Sequence, residues 1–224
     1  MTTPGTTTSP TTGSPTATPR ERGIGMRFSL HPHCDDFVAV ILGALDDAER
    51  AGLTAGLTIE TDDVSTWVGA VDEPAEQRLV AYLAAVVAAA HRRSDGGHVV
   101  AHVLLSRGCP GEVGCDLSVT GLPRPEPVRV PATGVAAAAQ WSLYPLLDGG
   151  SDDGAHMAHI ERAIAQAVER GTTRGAAHYA TRLSGDVAEV LATVADAWGD
   201  VGSAVAHVVS HLTLSVGSPT AVPR

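Results

Sequence analysis

Apolar residues recur three and four positions apart along two segments of the chain, a spacing that is typical of a helix with one buried face. The first segment contains Phe37, Val40, Ile41, Ala44 and Leu45, and the second contains Met157, Ile160, Ile164 and Val168. Each segment is followed by a glycine, Gly52 or Gly171, as expected where a helix ends. Asp35 and Asp36 precede the first segment, and we interpret them as helix caps rather than as an acid/base pair.

Alternating and β-branched residues between these segments predict strands. Residues 57–61 and 64–68 alternate with period two, which favours two adjacent strands. A second helix is predicted over residues 74 to about 92, and its counterpart over residues 186 to about 200. Each half of the chain therefore has the order strand, helix, strand, strand, helix, strand.

The two halves also share sequence motifs. Residues 27–32 are RFSLHP and residues 140–145 are QWSLYP, at the start of each half. Residues 98–106 are HVVAHVLLS and residues 207–215 are HVVSHLTLS, at the end of each half. The chain is thus an internal duplication of one strand–helix unit.

The order βαββαβ, repeated twice, predicts an α+β fold made of two ferredoxin-like units with antiparallel sheets. We place the first unit at residues 26–118, a Pro-rich linker at 119–134 and the second unit at 135–219, after a disordered Thr/Pro-rich tail at 1–25. Right-handed crossovers put both helices of a unit on one sheet face. The other face is expected to be apolar and uncovered, to be buried by the sister unit, a second chain or a ligand.

Composition narrows the classes of function. The net charge is −10 and the chain contains no lysine, which disfavours nucleic-acid binding and excludes Schiff-base chemistry. Hydrophobic residues make up 44% of the chain, enough for a packed core, yet no apolar run is long enough for a membrane helix. The first twenty residues carry no hydrophobic segment, so we expect no signal peptide and a cytoplasmic location.

Cysteine and histidine spacings do not predict a metal site. Cys109 and Cys115 form at most a weak half-site, and the third cysteine, Cys34, leaves an odd number, so we expect free thiols. Histidines four residues apart occur at 98 and 102 and again at 207 and 211. In a strand this spacing separates them by about 13 Å, too far to hold one ion, so we expect them to line one side of an edge strand.

Polar residues cluster where the second predicted strand meets the third. Pairing of the third strand with the first places Ser65 and Thr66 beside Ser29 and Leu30 in the first unit. The corresponding residues of the second unit are Tyr179, Thr181, Ser142 and Leu143. Hydroxyls beside an uncovered apolar sheet are suited to a small-molecule site. Turn formation by Asp62, Asp63 and Ser65 is the alternative.

These motifs together resemble the YkoF family, bacterial proteins that bind thiamin and its hydroxymethylpyrimidine precursor. The resemblance rests on RFSLHP, TDDVST and SRGCPG in the first half and on WSLYP and HYATRLSGD in the second, and it spans residues 26 to 219. It implies a homodimer with one pyrimidine pocket per repeat, no catalysis and no cofactor. It also implies a functional link to a membrane uptake transporter.

The resemblance also assigns candidate ligand contacts. They are Leu30 and Thr66 in the first repeat and Leu143 and Thr181 in the second. Together with the polar residues beside them, the candidate ligand-binding residues are Ser29, Leu30, Ser65, Thr66, Ser142, Leu143, Tyr179 and Thr181. This chain departs from the family at His31, where a tyrosine is expected and where Tyr144 keeps it, and Trp67 is bulky enough to fill or reshape the first pocket.

Two other functions remain open from the sequence. One is an enzyme that uses Asp36, His178 or Cys109 on the same pocket, although no nucleophile is paired with a base in the sequence. The other is a structural or regulatory dimer with degenerate pockets.

Overall fold

The computed structural model describes residues 17–109, 121–146 and 155–220. In chain order, the described elements are β1 (Gly25–Pro32), α1 (Phe37–Arg50), β2 (Leu57–Thr61), β3 (Thr66–Ala70), α2 (Ala75–Arg93), β4 (Val99–Arg107), β5 (Ala136–Leu146), α3 (Ala155–Glu169), β6 (Thr173–Ala177), β7 (Ala180–Asp186), α4 (Val187–Val201) and β8 (His207–Val216). This order confirms the predicted pair of βαββαβ units.

The strands form one antiparallel sheet of eight, in the order β2-β3-β1-β4-β8-β5-β7-β6. The two units join where β4 pairs with β8, from Val99 opposite Val216 to Arg107 opposite Val208. We predicted that the paired histidines would line an edge strand, and this was wrong because β4 and β8 are the two central strands. The last strand of each unit therefore pairs with the last strand of the other unit.

The helices cover one face of this sheet. Along β1, Met26, Phe28 and Leu30 are buried, whereas Arg27 and His31 on the alternate positions are exposed. Helix α2 packs against both α1 and α4, so the helices form one layer over the buried residues. The core lies between this layer and the sheet.

The opposite sheet face, which we call the open face, is less apolar than predicted. It carries charged and hydroxyl groups such as Arg27 and Ser29 beside Leu104 and Tyr144, which are 42% and 50% exposed. Alternation along each strand puts these residues on the same side of the sheet. The expectation of a uniformly apolar face was therefore wrong, because polar side chains occupy many of its positions.

The structure agrees in part with the helix ends predicted from the sequence. Gly52 and Gly171 both adopt positive φ, 73° and 72°, just beyond α1 and α3, a conformation that glycine adopts without steric cost. Asp36 occupies the N-cap position of α1, but its side chain makes no capping hydrogen bond. Asp186 caps α4 by accepting a hydrogen bond from the backbone N–H of Ala188 at 2.8 Å.

The segment from residue 121 to 135 runs without strand or helix between β4 and β5 and is bound to the helices. Gln77 of α2 and the backbone of Arg129 exchange two hydrogen bonds, each 2.7 Å long. Asp196 of α4 accepts from the backbone of Val128, and Asp186 accepts from the backbones of Thr133 and Gly134. The segment is thus held along the helical layer.

Two further features bear on the predicted boundaries. Residues 17–25, which we assigned to the tail, form a turn and the start of β1, and Ile24 is only 2% exposed. The ordered first unit therefore begins before residue 26.

Among the helices of the described residues, none is long and apolar enough to cross a membrane.

Candidate functional site

A cavity of about 570 Å³ lies in the second unit, between the sheet and α3. Its walls come from the end of β5, from α3 and from the hairpin that joins β6 to β7. The lining residues are Trp141, Ser142, Leu143, Tyr144, Ile160, Ile164, Ala176, Ala177, His178, Tyr179, Ala180 and Thr181. This surface is mostly apolar, with hydroxyl groups and strand backbone at its edge, which is the usual make-up of a small-molecule site.

Strand pairing places the inner wall of the cavity. Thr181 on β7 lies directly opposite Trp141 on β5, so both side chains are on the helix-covered face. The indole N–H of Trp141 donates to the hydroxyl of Ser210 on β8 at 2.8 Å. Strand β8 is on the other side of β5 from β7, so this bond turns the indole nitrogen away from Thr181. Space remains between Thr181, Leu143 and α3.

The hairpin tip forms the outer edge of the cavity. Tyr179 adopts φ 64°, which is uncommon for a large side chain, and its ring is fully exposed. The hydroxyl of Ser142 donates a hydrogen bond of 2.9 Å to the carbonyl oxygen of Tyr179. This bond ties the strained turn to β5 and holds the tyrosine at the rim of the cavity.

The structure brings the four candidate residues of the second unit to one place. Ser142, Leu143, Tyr179 and Thr181 all line the cavity. We expected the pocket beside the uncovered sheet face, whereas its apolar wall of Leu143, Ile160 and Ile164 is on the helix-covered side and only its edge, with Ser142 and Tyr144, reaches the open face. Sequence reasoning also missed the α3 wall, although Ile160 and Ile164 already belonged to the predicted buried face of that helix.

The four candidate residues of the first unit are more dispersed. Leu30 and Thr66 are buried on the helix-covered side, where the hydroxyl of Thr66 is 3.0 Å from that of Thr61. Ser29 lies on the open face and shares a hydrogen bond with His31. The hydroxyl of Ser65 accepts a bond of 2.7 Å from Arg27.

Two cavities in the first unit have other linings. One of about 450 Å³ lies between α1, β2 and α2, and one of about 320 Å³ lies on the open face beside Trp67 and Cys109. Neither is lined by Leu30 or Thr66. The linings of these two cavities therefore differ from that of the cavity in the second unit.

Turn formation explains most of the acidic cluster at the first hairpin. The Asp62 carboxylate accepts hydrogen bonds from the backbone N–H groups of Ser65 and Val64, at 2.7 and 2.8 Å, and from Arg27. The backbone bonds from Ser65 and Val64, followed by the Arg27 bond, lower the pKa of Asp62. Asp62 is thus a charged turn residue at neutral pH.

Trp67 does not enter the region around Thr66. It pairs with Arg27 on β1, so its side chain is on the open face, where the guanidinium of Arg20 lies 5.0 Å from the ring centre. The expectation that Trp67 fills or reshapes the first pocket was therefore wrong for the helix-covered side.

The residues considered for catalysis are not assembled. Asp36 is at the start of α1, His178 is at the cavity of the second unit, and Cys109 lines the smaller cavity on the open face of the first. Cys115 lies outside the described residues. Within the described ranges, no group of three or more His, Cys, Asp or Glu side chains is arranged to hold a metal ion.

Two ferredoxin-like units in one continuous sheet define the class of this chain as a tandem-repeat α+β protein. The family model described as "YKOF-related Family" matches residues 23–112 and 136–221. The chain belongs to this family.

A curated relative supports the same assignment. The chain is 29% identical over 201 residues to a protein of Bacillus subtilis (strain 168) with the provisional name HMP/thiamine-binding protein YkoF. The alignment covers 89% of this chain and 92% of that relative. The match therefore includes both units.

Proposed function

We infer that the protein is a non-catalytic carrier of hydroxymethylpyrimidine or thiamin and that the cavity of the second unit is its main binding site. The observation on which this rests is that Ser142 and Leu143 of β5, Tyr179 of the β6–β7 turn and Thr181 of β7 line one cavity in a member of the YkoF-related family. The name of the Bacillus relative supports the choice of ligand.

The chemistry of an aminopyrimidine suits this cavity. Its flat ring has two apolar faces, which Leu143, Ile160 and Ile164 can cover. Its edge has ring-nitrogen acceptors and an amine donor, which match the hydroxyl of Thr181 and the backbone groups at the strand ends. Thiamin adds a cationic thiazolium, and a chain of net charge −10 provides a favourable field for it.

The wider role follows from the family expectation. In this proposal the protein acts in the cytoplasm as a homodimer, needs no cofactor and serves the uptake or salvage of the vitamin precursor together with a membrane transporter. Each unit provides one pocket, and the pocket of the first unit is the weaker one because Tyr82 of α2, whose counterpart in α4 is the smaller Val194, is buried on its helix-covered side.

Calorimetric titration of the full chain tests this function. We expect saturable heat with hydroxymethylpyrimidine, thiamin or both, and full recovery of the unchanged compound by mass spectrometry. Thr181→Ala should weaken binding in the second unit, whereas Thr66→Ala should leave that event unchanged. Absence of heat with either compound would favour a structural dimer with degenerate pockets, and appearance of a product would favour an enzyme.

A further inference from the structure

Four histidine side chains lie close together on the open face, on or next to the neighbouring strands β1 and β4. His31 lies on β1 and His102 on β4, with His33 and His98 just beyond the ends of the same two strands. Histidines of one strand are too far apart to share an ion, as the sequence spacing showed. Antiparallel pairing instead brings histidines of neighbouring strands together.

The closest contacts form two pairs of rings. The ring centres of His31 and His102 are 5.3 Å apart with an interplanar angle of 69°, and those of His33 and His98 are 4.4 Å apart. Two imidazoles on one tetrahedral zinc ion, with Zn–N bonds of about 2.0–2.1 Å, have centres about 5 Å apart. The first pair meets this requirement, and the second is closer than it allows.

In each histidine of the first pair, one ring nitrogen lies within hydrogen-bond distance of a hydroxyl group. Nε2 of His31 is 3.0 Å from the hydroxyl of Ser29, and Nδ1 of His102 is 3.2 Å from the hydroxyl of Thr213 on β8. A ligating histidine characteristically uses its second ring nitrogen in such a bond, which fixes the orientation of the ring. Nδ1 of His31 and Nε2 of His102 are the nitrogens left for a metal.

We propose that His31 and His102 bind a divalent zinc-type transition-metal ion on the open face. Neutral imidazole is the form of histidine that coordinates zinc, copper and nickel. Two protein ligands and water complete the coordination, so the ion is held reversibly rather than as a closed structural site. The net charge of −10 on the chain favours the approach of a divalent cation.

The test is a titration of the metal-free full chain with zinc chloride at neutral pH. The double variant H31A/H102A removes both proposed ligands, and H33A/H98A is the matched control that removes two histidines from the same surface. We expect one zinc ion per wild-type chain, affinity at least about tenfold lower in H31A/H102A, and unchanged affinity in the control. Zinc should raise the melting temperature of the wild type and the control only.

A second measurement covers the case in which H31A/H102A does not fold. In the wild-type chain, zinc should shift the NMR ring signals of His31 and His102 more than those of His33, His98 and His211. The proposal is overturned if the wild type binds no zinc, if the loss of affinity follows H33A/H98A instead, or if the largest NMR shifts fall on other histidines.

Discussion

Tyr82 of α2 packs edge-on against Phe28 of β1, with ring centroids 6.2 Å apart. Tyr82 is 1% exposed, and burial, followed by the charge of Glu49, raises its pKa to about 12. Counted from the first residue of each helix, Val194 of α4 takes the place of Tyr82 in the second unit. The first unit therefore has Tyr82 where the second has the smaller Val194, while Phe28 corresponds to Trp141.

Replacing Tyr82 by a smaller residue should create space for a ligand in the first unit. Tyr82→Val removes a buried aromatic side chain, and we expect the free energy of unfolding to fall by about 2–4 kcal/mol in denaturant titrations. The space created lies beside Phe28 and Thr66, so calorimetry should show a stronger second binding event per chain. A folded variant whose second event is unchanged would show that Tyr82 does not limit the first site.

Filling the large cavity should have the opposite effect. Ile164→Phe adds a ring to the α3 wall, and ligand affinity should fall at least about tenfold through lost space and contacts. Leu45→Phe is the matched control, because Leu45 has the equivalent position in α1 when the helices are aligned on Gly52 and Gly171. Equal loss of affinity in both variants would argue against the second unit as the main site.

A buried ion pair near the junction of the units is expected to govern stability. Arg107 of β4 and Glu76 of α2 are 2% and 4% exposed and form a salt bridge, and Arg107 also donates to the backbone oxygen of Pro123. Glu76→Gln leaves the guanidinium charge buried without its partner, so unfolding free energy should fall by about 3–5 kcal/mol.

The surface pair formed by Asp46 and Arg50 of α1 is the control for this variant. Both side chains are more than half exposed, so Asp46→Asn should change the free energy of unfolding far less than Glu76→Gln does. Both effects can be measured in the same chemical denaturation series. A similar small cost for the two substitutions would mean that water reaches Arg107.

Stability should also depend on pH through the histidines of the open face. Burial, and then the neighbouring imidazoles His102 and His33, lower the pKa of His31, and burial followed by His33 lowers that of His98. The unfolded chain then binds more protons than the native one, so this contribution is complete above the unfolded pKa of about 6.5 and is lost as pH falls through the lower native pKa.

Unfolding free energy should therefore decline from about pH 7 to pH 5. The variant H31N/H98N should have a flatter profile in this range. His211→Asn, on the same face, is the control and should keep the wild-type slope. Identical slopes in all three chains would show that the paired imidazoles do not control the profile.

The sequence predicted the repeated unit because two signals agreed. The similarity of RFSLHP and QWSLYP identified corresponding strands. The predicted pairing of the third strand with the first placed Thr181 next to Ser142, and the register confirms that Thr181 lies opposite Trp141, the residue before Ser142. Local pattern cannot show which face holds the cavity, because Ser142 and Leu143 are adjacent and point to opposite sides of the sheet.

The pairing of the two units could not be predicted either. The alternation in HVVAHVLLS shows which residues share a face, but it does not identify the neighbouring strand. The contact between the rings of His31 and His102 could not be predicted either, because it depends on the register between β1 and β4, which puts Ser29 opposite His102 and His31 opposite Val100. Likewise, the effect of replacing Tyr82 by the smaller Val194 on the space beside the sheet can be seen only when the positions of both helices on the sheet are known.

The ladder between β4 and β8 makes each duplicated half dependent on the other. Separated from its sister, a half would expose the nine residues of β4 as a long unpaired edge, open to association with other chains. Melting of the whole chain should accordingly occur as one cooperative transition, and the gene halves should be expressible together on two chains but not singly. The duplicated halves have in this sense become an obligate heterodimer within one polypeptide.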